Sequence, residues 1–136
     1  MTSTFIVIAA INGFLGVALG AFAAHSLAAY FSDKPRLEAN FKTGVQYHFY
    51  HALALLGVAF AAKQFTSSLI PLAGWLFLLG IILFSGSLYV MAITGVRTLG
   101  AVTPFGGAFF LAGWIALGFA ARGLGRKAEA PRPGEP

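Results

Sequence analysis

Long apolar runs cut by short polar stretches make up this chain, and its charged residues act as punctuation. No Asp, Glu, Lys or Arg occurs from Met1 through Ser32; the first is Asp33. Reading between the charges predicts membrane spans at Phe5 to Ala24, Thr43 to Ala62, Leu69 to Met91 and Pro104 to Ala121. Each is close to the roughly 20 apolar residues with which a helix crosses about 30 Å of hydrocarbon. The pattern therefore predicts an all-α integral membrane four-helix bundle over residues 1–122. A basic, Pro-rich tail at 123–136 is predicted to be disordered. Strands are not expected, because no stretch alternates with the two-residue period of a membrane barrel and a helix satisfies its own backbone in lipid.

The stretch between the first two spans is more than a loop. Ser32 or Asp33 is placed to cap a helix that Pro35 opens, since proline's fixed φ suits the first turn and its missing N–H is not needed there. Leu37, Phe41, Val45 and His48 follow at helical spacing. This predicts an amphipathic segment running into the second span, with Leu37 and Phe41 against the membrane or the bundle and Gly44 as a bend. The first span ends in Ala21-Phe22-Ala23, which resembles a signal-peptidase site. The start "MTSTF" has no Lys or Arg, however, and the apolar stretch is longer than a signal's, so the reading is a retained helix.

Composition agrees with this class. The chain is 58% hydrophobic and 10% charged, with a mean hydropathy of +0.81, whereas a soluble domain is about 45–50% apolar. The net charge of +5 does not point to nucleic acid, because the basic residues are dispersed. Arg122, Arg126, Lys127 and Arg132 follow the last span as an anchor at the headgroups. With four spans both termini share one side. That side holds Lys63 and these four residues, against Lys34, Arg36, Lys42 and Arg97 on the other. The positive-inside rule then places both termini in the cytoplasm by a single charge. The chain has no cysteine, which removes disulfides and thiolate metal sites.

Candidate chemistry is sparse. Gly13, Gly16, Gly20 and Ala24 recur at three- and four-residue steps and predict a helix-packing groove, either within the bundle or between copies. "FKTGVQYHFYHALALL" at 41 to 56 carries Gln46, His48 and His51 into an apolar run. On a helix Gly44, His48, His51 and Leu55 share one face, and up-and-down topology brings His25, Tyr89, Thr94, Arg97 and Thr103 to the same half of the bundle. Polar side chains in lipid face the bundle interior and find partners. Two readings stay open: a buried polar binding site of His25, Gln46, His51, Tyr89 and Arg97, or a set of interhelical hydrogen bonds. Asn12, nearer the middle of its span, is expected to bond across to a neighbouring helix.

No metal, haem or other cofactor is predicted: the acids all lie outside the spans, and His48 with His51 is not a known ligand signature. No Ser/His/Asp set, carboxylate pair or phosphate loop is present, so an enzyme is not expected.

"GAFAAHSL" at 20 to 27, "FKTGVQYHFYHALALL" at 41 to 56, "SGSLYVMAITG" at 85 to 95 and "TPFGGAFFLAGW" at 103 to 114 carry a resemblance. Together they resemble the YgdD-like family of small multi-pass membrane proteins, a domain of unknown function. The matches come in order, touch every predicted span and include His25, Gln46, His51, Tyr89, Pro104 and Trp114. His48 is less characteristic of that pattern. The resemblance implies a bacterial inner-membrane protein with four helices and no established activity. Two functions follow as expectations: a structural or accessory protein that assembles with itself or a membrane partner, or a carrier of a small molecule, lipid or ion at the His25 and His51 cluster.

Overall fold

The computed structural model describes residues 1–122 and 125–126. The described chain is built of helices: α1 (Thr2–His25), the short α2 (Ala28–Phe31), α3 (Pro35–Gln64), α4 (Leu69–Gly80), α5 (Gly86–Thr94) and α6 (Thr103–Arg122). A π-helical segment, Ile81–Ser85, joins α4 to α5 without a break, and a 3-10 turn at Arg97–Ala101 leads into α6. One element was not expected. Phe65–Thr66 (β1) pairs antiparallel with Gly125–Arg126 (β2), in the register Phe65 to Arg126 and Thr66 to Gly125. The rest of the predicted tail, 123–124 and 127–136, lies outside the described residues.

Three stretches are each long and apolar enough to cross a membrane: Thr2–His25, Leu69–Thr94 and Arg97–Arg122. At 30 residues α3 has the length too, but Arg36, Glu38, Lys42, Gln46, His48 and His51 dilute its apolar character.

α1 turns one narrow stripe inward. Phe5, Ala9, Asn12 and Gly16 are buried at steps of four, three and four, the spacing of one helix face. Phe5 meets the edge of Trp75 at 5.7 Å, and a Cβ on Gly16 would lie 2.7 Å from the Phe49 ring. Proline opens α3 as predicted, but Lys34 sits at the cap position with no side-chain cap bond. Ser32 turns its hydroxyl back to the Ala29 carbonyl, and Asp33 accepts from Lys34. Both side chains thus have partners of their own. Phe41 is fully buried with Phe31 and Ala92, and Leu37 packs on that cluster. Gly44 makes room for the Tyr89 ring, 2.8 Å from where a Cβ would stand.

Tyr30 donates to the Ile93 carbonyl at 2.8 Å, which ties the end of α1–α2 to the end of α5. The β1–β2 pair ties the far ends of α3 and α6. Connections are therefore up and down, and Gly95 ends α5 in the left-handed conformation (φ 73°) that glycine adopts without strain.

The π segment gives the fold its one orphaned group among the described residues. Ser85 Oγ is fully buried with no hydrogen-bond partner. A stranded hydroxyl costs about 1–3 kcal/mol. Ser85→Ala is therefore expected to hold or raise the melting temperature in detergent or nanodiscs; a clear fall would show that the hydroxyl has a partner.

Candidate functional site

α3 runs through the middle of the polar residues and presents two histidines to opposite neighbours. His48 and His51 are both 4% exposed, three residues apart and so on one broad face. Each ring has both nitrogens occupied, and the partners fix which nitrogen carries the proton.

His48 bridges α1, α3 and α5. Asn12 Nδ2 donates to the Ile8 carbonyl at 2.8 Å, which leaves Asn12 Oδ1 facing His48 Nε2 at 3.1 Å. An amide oxygen only accepts, so Nε2 carries the hydrogen. His48 Nδ1 is then bare and accepts from the Tyr89 hydroxyl at 3.1 Å. The order Tyr89 to His48 to Asn12 to the Ile8 carbonyl is thus one directed chain. Its last acceptor is a helix carbonyl.

His51 has the opposite tautomer. Its Nδ1 donates to the Tyr47 carbonyl at 2.8 Å, and its Nε2 accepts from the indole N–H of Trp114 at 3.3 Å. The ring lies flat on Phe110, with centroids 3.5 Å apart and planes 8° from parallel. Phe77 stands 5.4 Å away and Tyr47 6.3 Å. His51 is therefore the centre of an aromatic cage that joins α3, α4 and α6. It makes no contact with the His48 chain through its own nitrogens.

The predicted site residues do not form one cluster. His25 ends α1 and is exposed, far from the role of partner to His51. Its position at the last turn, beyond the buried stripe, turns it outward. Gln46 is also exposed and donates to the Tyr50 hydroxyl at 2.6 Å. Tyr89 joins His48, not His51, and Arg97 lies exposed in the 3-10 turn. Asn12 bonds across to α3 as expected. His48, Phe110 and Trp114 stand outside the predicted site; the four-residue step from Phe110 to Trp114, which puts both on one helix face, is the signal in the sequence that joins them.

The predicted glycine groove is divided as well. Gly16 is buried against Phe49, and Gly20 faces Val45 at 3.5 Å, so these two serve packing of α1 on α3. Gly13 faces open space and Ala24 is exposed. Beyond them, Gly20, Ala24, Lys42 and Gln46 border a cleft of about 480 Å³ between α1 and α3. There Lys42 pairs with Glu38 at 2.7 Å. Among the described residues no group of three or more His, Asp or Glu side chains is placed to hold a metal ion.

Residues 19–107 match the family model described as "Protein of unknown function (DUF423)". The chain is 49% identical over 118 residues to the UPF0382 membrane protein YwdK of Bacillus subtilis, covering 86% of this chain and 94% of that one. It is 43% identical over 129 residues to the UPF0382 inner membrane protein YgdD of Escherichia coli, covering 93% and 96%. A UPF0382 membrane protein of Staphylococcus epidermidis is 43% identical over 113 residues, or 83% and 90%. No solved structure matches the chain. The resemblance carried by the stretches around His25, His51, Tyr89 and Trp114 is thereby borne out, and the chain belongs to this DUF423 family, whose function is unknown.

Proposed function

We propose that this is an integral protein of the bacterial inner membrane that acts as a structural or accessory component, without catalysis, through contacts on its helix surfaces. The observation that carries the reading is the state of its buried histidines. A site for a small molecule or ion needs a free lone pair or N–H directed at the ligand, and both rings have both nitrogens engaged by protein groups. The polar interior is thus a lock between helices. On this reading α3 provides the fourth crossing over about Thr43 to Ala62: its polar residues Gln46, His48 and His51 all have partners, and Leu53, Leu56 and Phe60 face outward as lipid-facing residues do. Both termini lie in the cytoplasm, by the one-charge excess of basic residues on their side.

Recognition then falls to the outer face of α1. Ile6, Ala10, Gly13 and Val17 lie along one line at steps of four, three and four, each one residue beyond a member of the packed stripe and so turned about 100° away from it. The small residues at 10 and 13 suit close approach of another helix, from a second copy or a partner protein. The test is native mass spectrometry of the protein released gently from its membranes. A homo-oligomer or heteromer is expected, and Gly13→Leu should dissociate it while the melting temperature of the released subunit holds. A wild-type monomer carrying a tightly held small molecule would instead favour the carrier reading.

A further inference from the structure

The N-terminal end of α3 and the C-terminal end of α5 enclose a second cleft, of about 690 Å³. Asp33, Lys34, Arg36 and Asn40 stand on one wall and Arg97 on the other, with Leu37 and Met91 between them. Its place along the helices is informative. The apolar run Leu69–Thr94 ends three residues before Arg97, so the cleft opens where a hydrocarbon-length helix stops. This is the level of lipid phosphates.

The charges there are unevenly matched. Among the described residues the ion pairs are Lys34 with Asp33, at 2.9 Å, and Lys42 with Glu38. Lys34 also donates to the Tyr30 carbonyl at 3.0 Å. The hydrogen bond from Lys34 holds the exposed Asp33 carboxyl below the usual carboxylate range, so Asp33 stays ionised and keeps Lys34 occupied. Arg36 and Arg97 have no acidic partner among the described residues. Two guanidiniums on facing walls are suited to fork a phosphate oxygen pair from both sides, which Lys cannot do.

We infer that this cleft binds the headgroup of an anionic phospholipid, with the phosphate between Arg36 and Arg97, the glycerol polar atoms near Asn40, and the first methylenes against Leu37 and Met91. The inference is independent of the accessory role proposed above, since it rests on a different end of the molecule and on different residues. A second copy or a soluble anion would not exploit the apolar strip that leads from the phosphate position toward the bilayer.

The full-length protein, purified in a mild detergent, is exchanged with phosphatidylglycerol or phosphatidylcholine, and the retained lipid is read by native mass spectrometry. Phosphatidylglycerol adducts are expected to dominate. Each basic residue near a membrane surface contributes enough that the double variant Arg36→Gln/Arg97→Gln should lower their retention by about tenfold or more. Phosphatidylcholine retention should not change, and neither should the behaviour of Lys63→Gln, which removes a cation from the opposite end of α3. Equal phosphatidylglycerol retention by the double variant, or an equal loss in Lys63→Gln, overturns the inference. If the double variant fails to fold, Asp33→Asn serves: it releases Lys34 into the cleft and should raise phosphatidylglycerol retention, whereas unchanged or lowered retention counts against the site. Inorganic phosphate, compared with chloride at matched ionic strength, should not shift the melting temperature; a shift as large as that from phosphatidylglycerol would make a free anion the occupant instead of a lipid.

Discussion

Gly106→Ala is expected to be among the most damaging single methyl additions in this protein. A Cβ at position 106 would overlap the backbone nitrogen and Cα of Phe84 in the π segment. A side-chain neighbour can rotate away, but a hydrogen-bonded helix backbone in lipid cannot turn aside without exposing its own polar groups. The methyl must therefore push α6 off the α4–α5 rod. The displaced helix would take Thr103 from Ser87, which it meets at 2.8 Å, and Phe110 and Trp114 from His51. Overpacking of a filled site costs about 1–3 kcal/mol and occasionally more. The upper end is expected here.

The neighbouring glycine supplies the control. A Cβ on Gly107 would meet only the edge of the Phe84 ring at 3.8 Å, an ordinary contact. Gly107→Ala should therefore leave the melting temperature of the nanodisc-embedded protein nearly unchanged, or raise it slightly through helix propensity. The two variants differ by one position and by no chemistry, so membrane insertion and expression are matched. Similar melting temperatures for Gly106→Ala, Gly107→Ala and wild type would refute the close contact of α6 with the π segment.

How much of this was legible beforehand differs between the fold and the site. Helix positions were readable because lipid demands long apolar runs and charges mark their ends, so α1, α4–α5 and α6 fall close to the predicted spans. The π segment was not readable. "GIILFSG" has no residue that forbids an ordinary α-turn, and the close approach of α6 to the Phe84 backbone within the π segment is a tertiary contact that local sequence does not encode. The polar residues were recognised as inward-facing from their cost in lipid, but their pairing was not. Sequence spacing places His48 and His51 on one face and cannot say that one turns to Asn12 and Tyr89 while the other turns to Trp114. Nor could it say that His25 stops short of the bundle, because a side chain in the last turn of a helix is free to face outward. Arg36 and Arg97 lie 61 residues apart and meet at one cleft only because the helices run up and down.

His51→Ala carries the second large effect, and it separates a lock from a ligand site. The alanine removes a ring stacked on Phe110 at 3.5 Å and bounded by Phe77, Tyr47 and Trp114, and it leaves a cavity where α3, α4 and α6 meet. Truncating a buried ring of this size costs a few kcal/mol, about 2–4 for a side chain somewhat smaller than Phe. The hydrogen bond from Trp114 is the lesser part, since interhelical hydrogen bonds in membranes average about 0.6 kcal/mol. His51→Phe should consequently recover most of the lost stability, because it restores the stacked ring and sacrifices only the bond accepted from Trp114 and the bond donated to the Tyr47 carbonyl. Trp114→Phe should cost little beyond the loss of that indole donor, and the His51→Phe/Trp114→Phe pair should show a coupling of about 0.6 kcal/mol. A binding site predicts the reverse order: His51→Phe as harmful to a retained ligand as His51→Ala, with both melting within a few degrees of wild type. Thermal unfolding of wild type and the four variants in one nanodisc composition decides between them, because packing follows the ring and ligand chemistry follows the nitrogen.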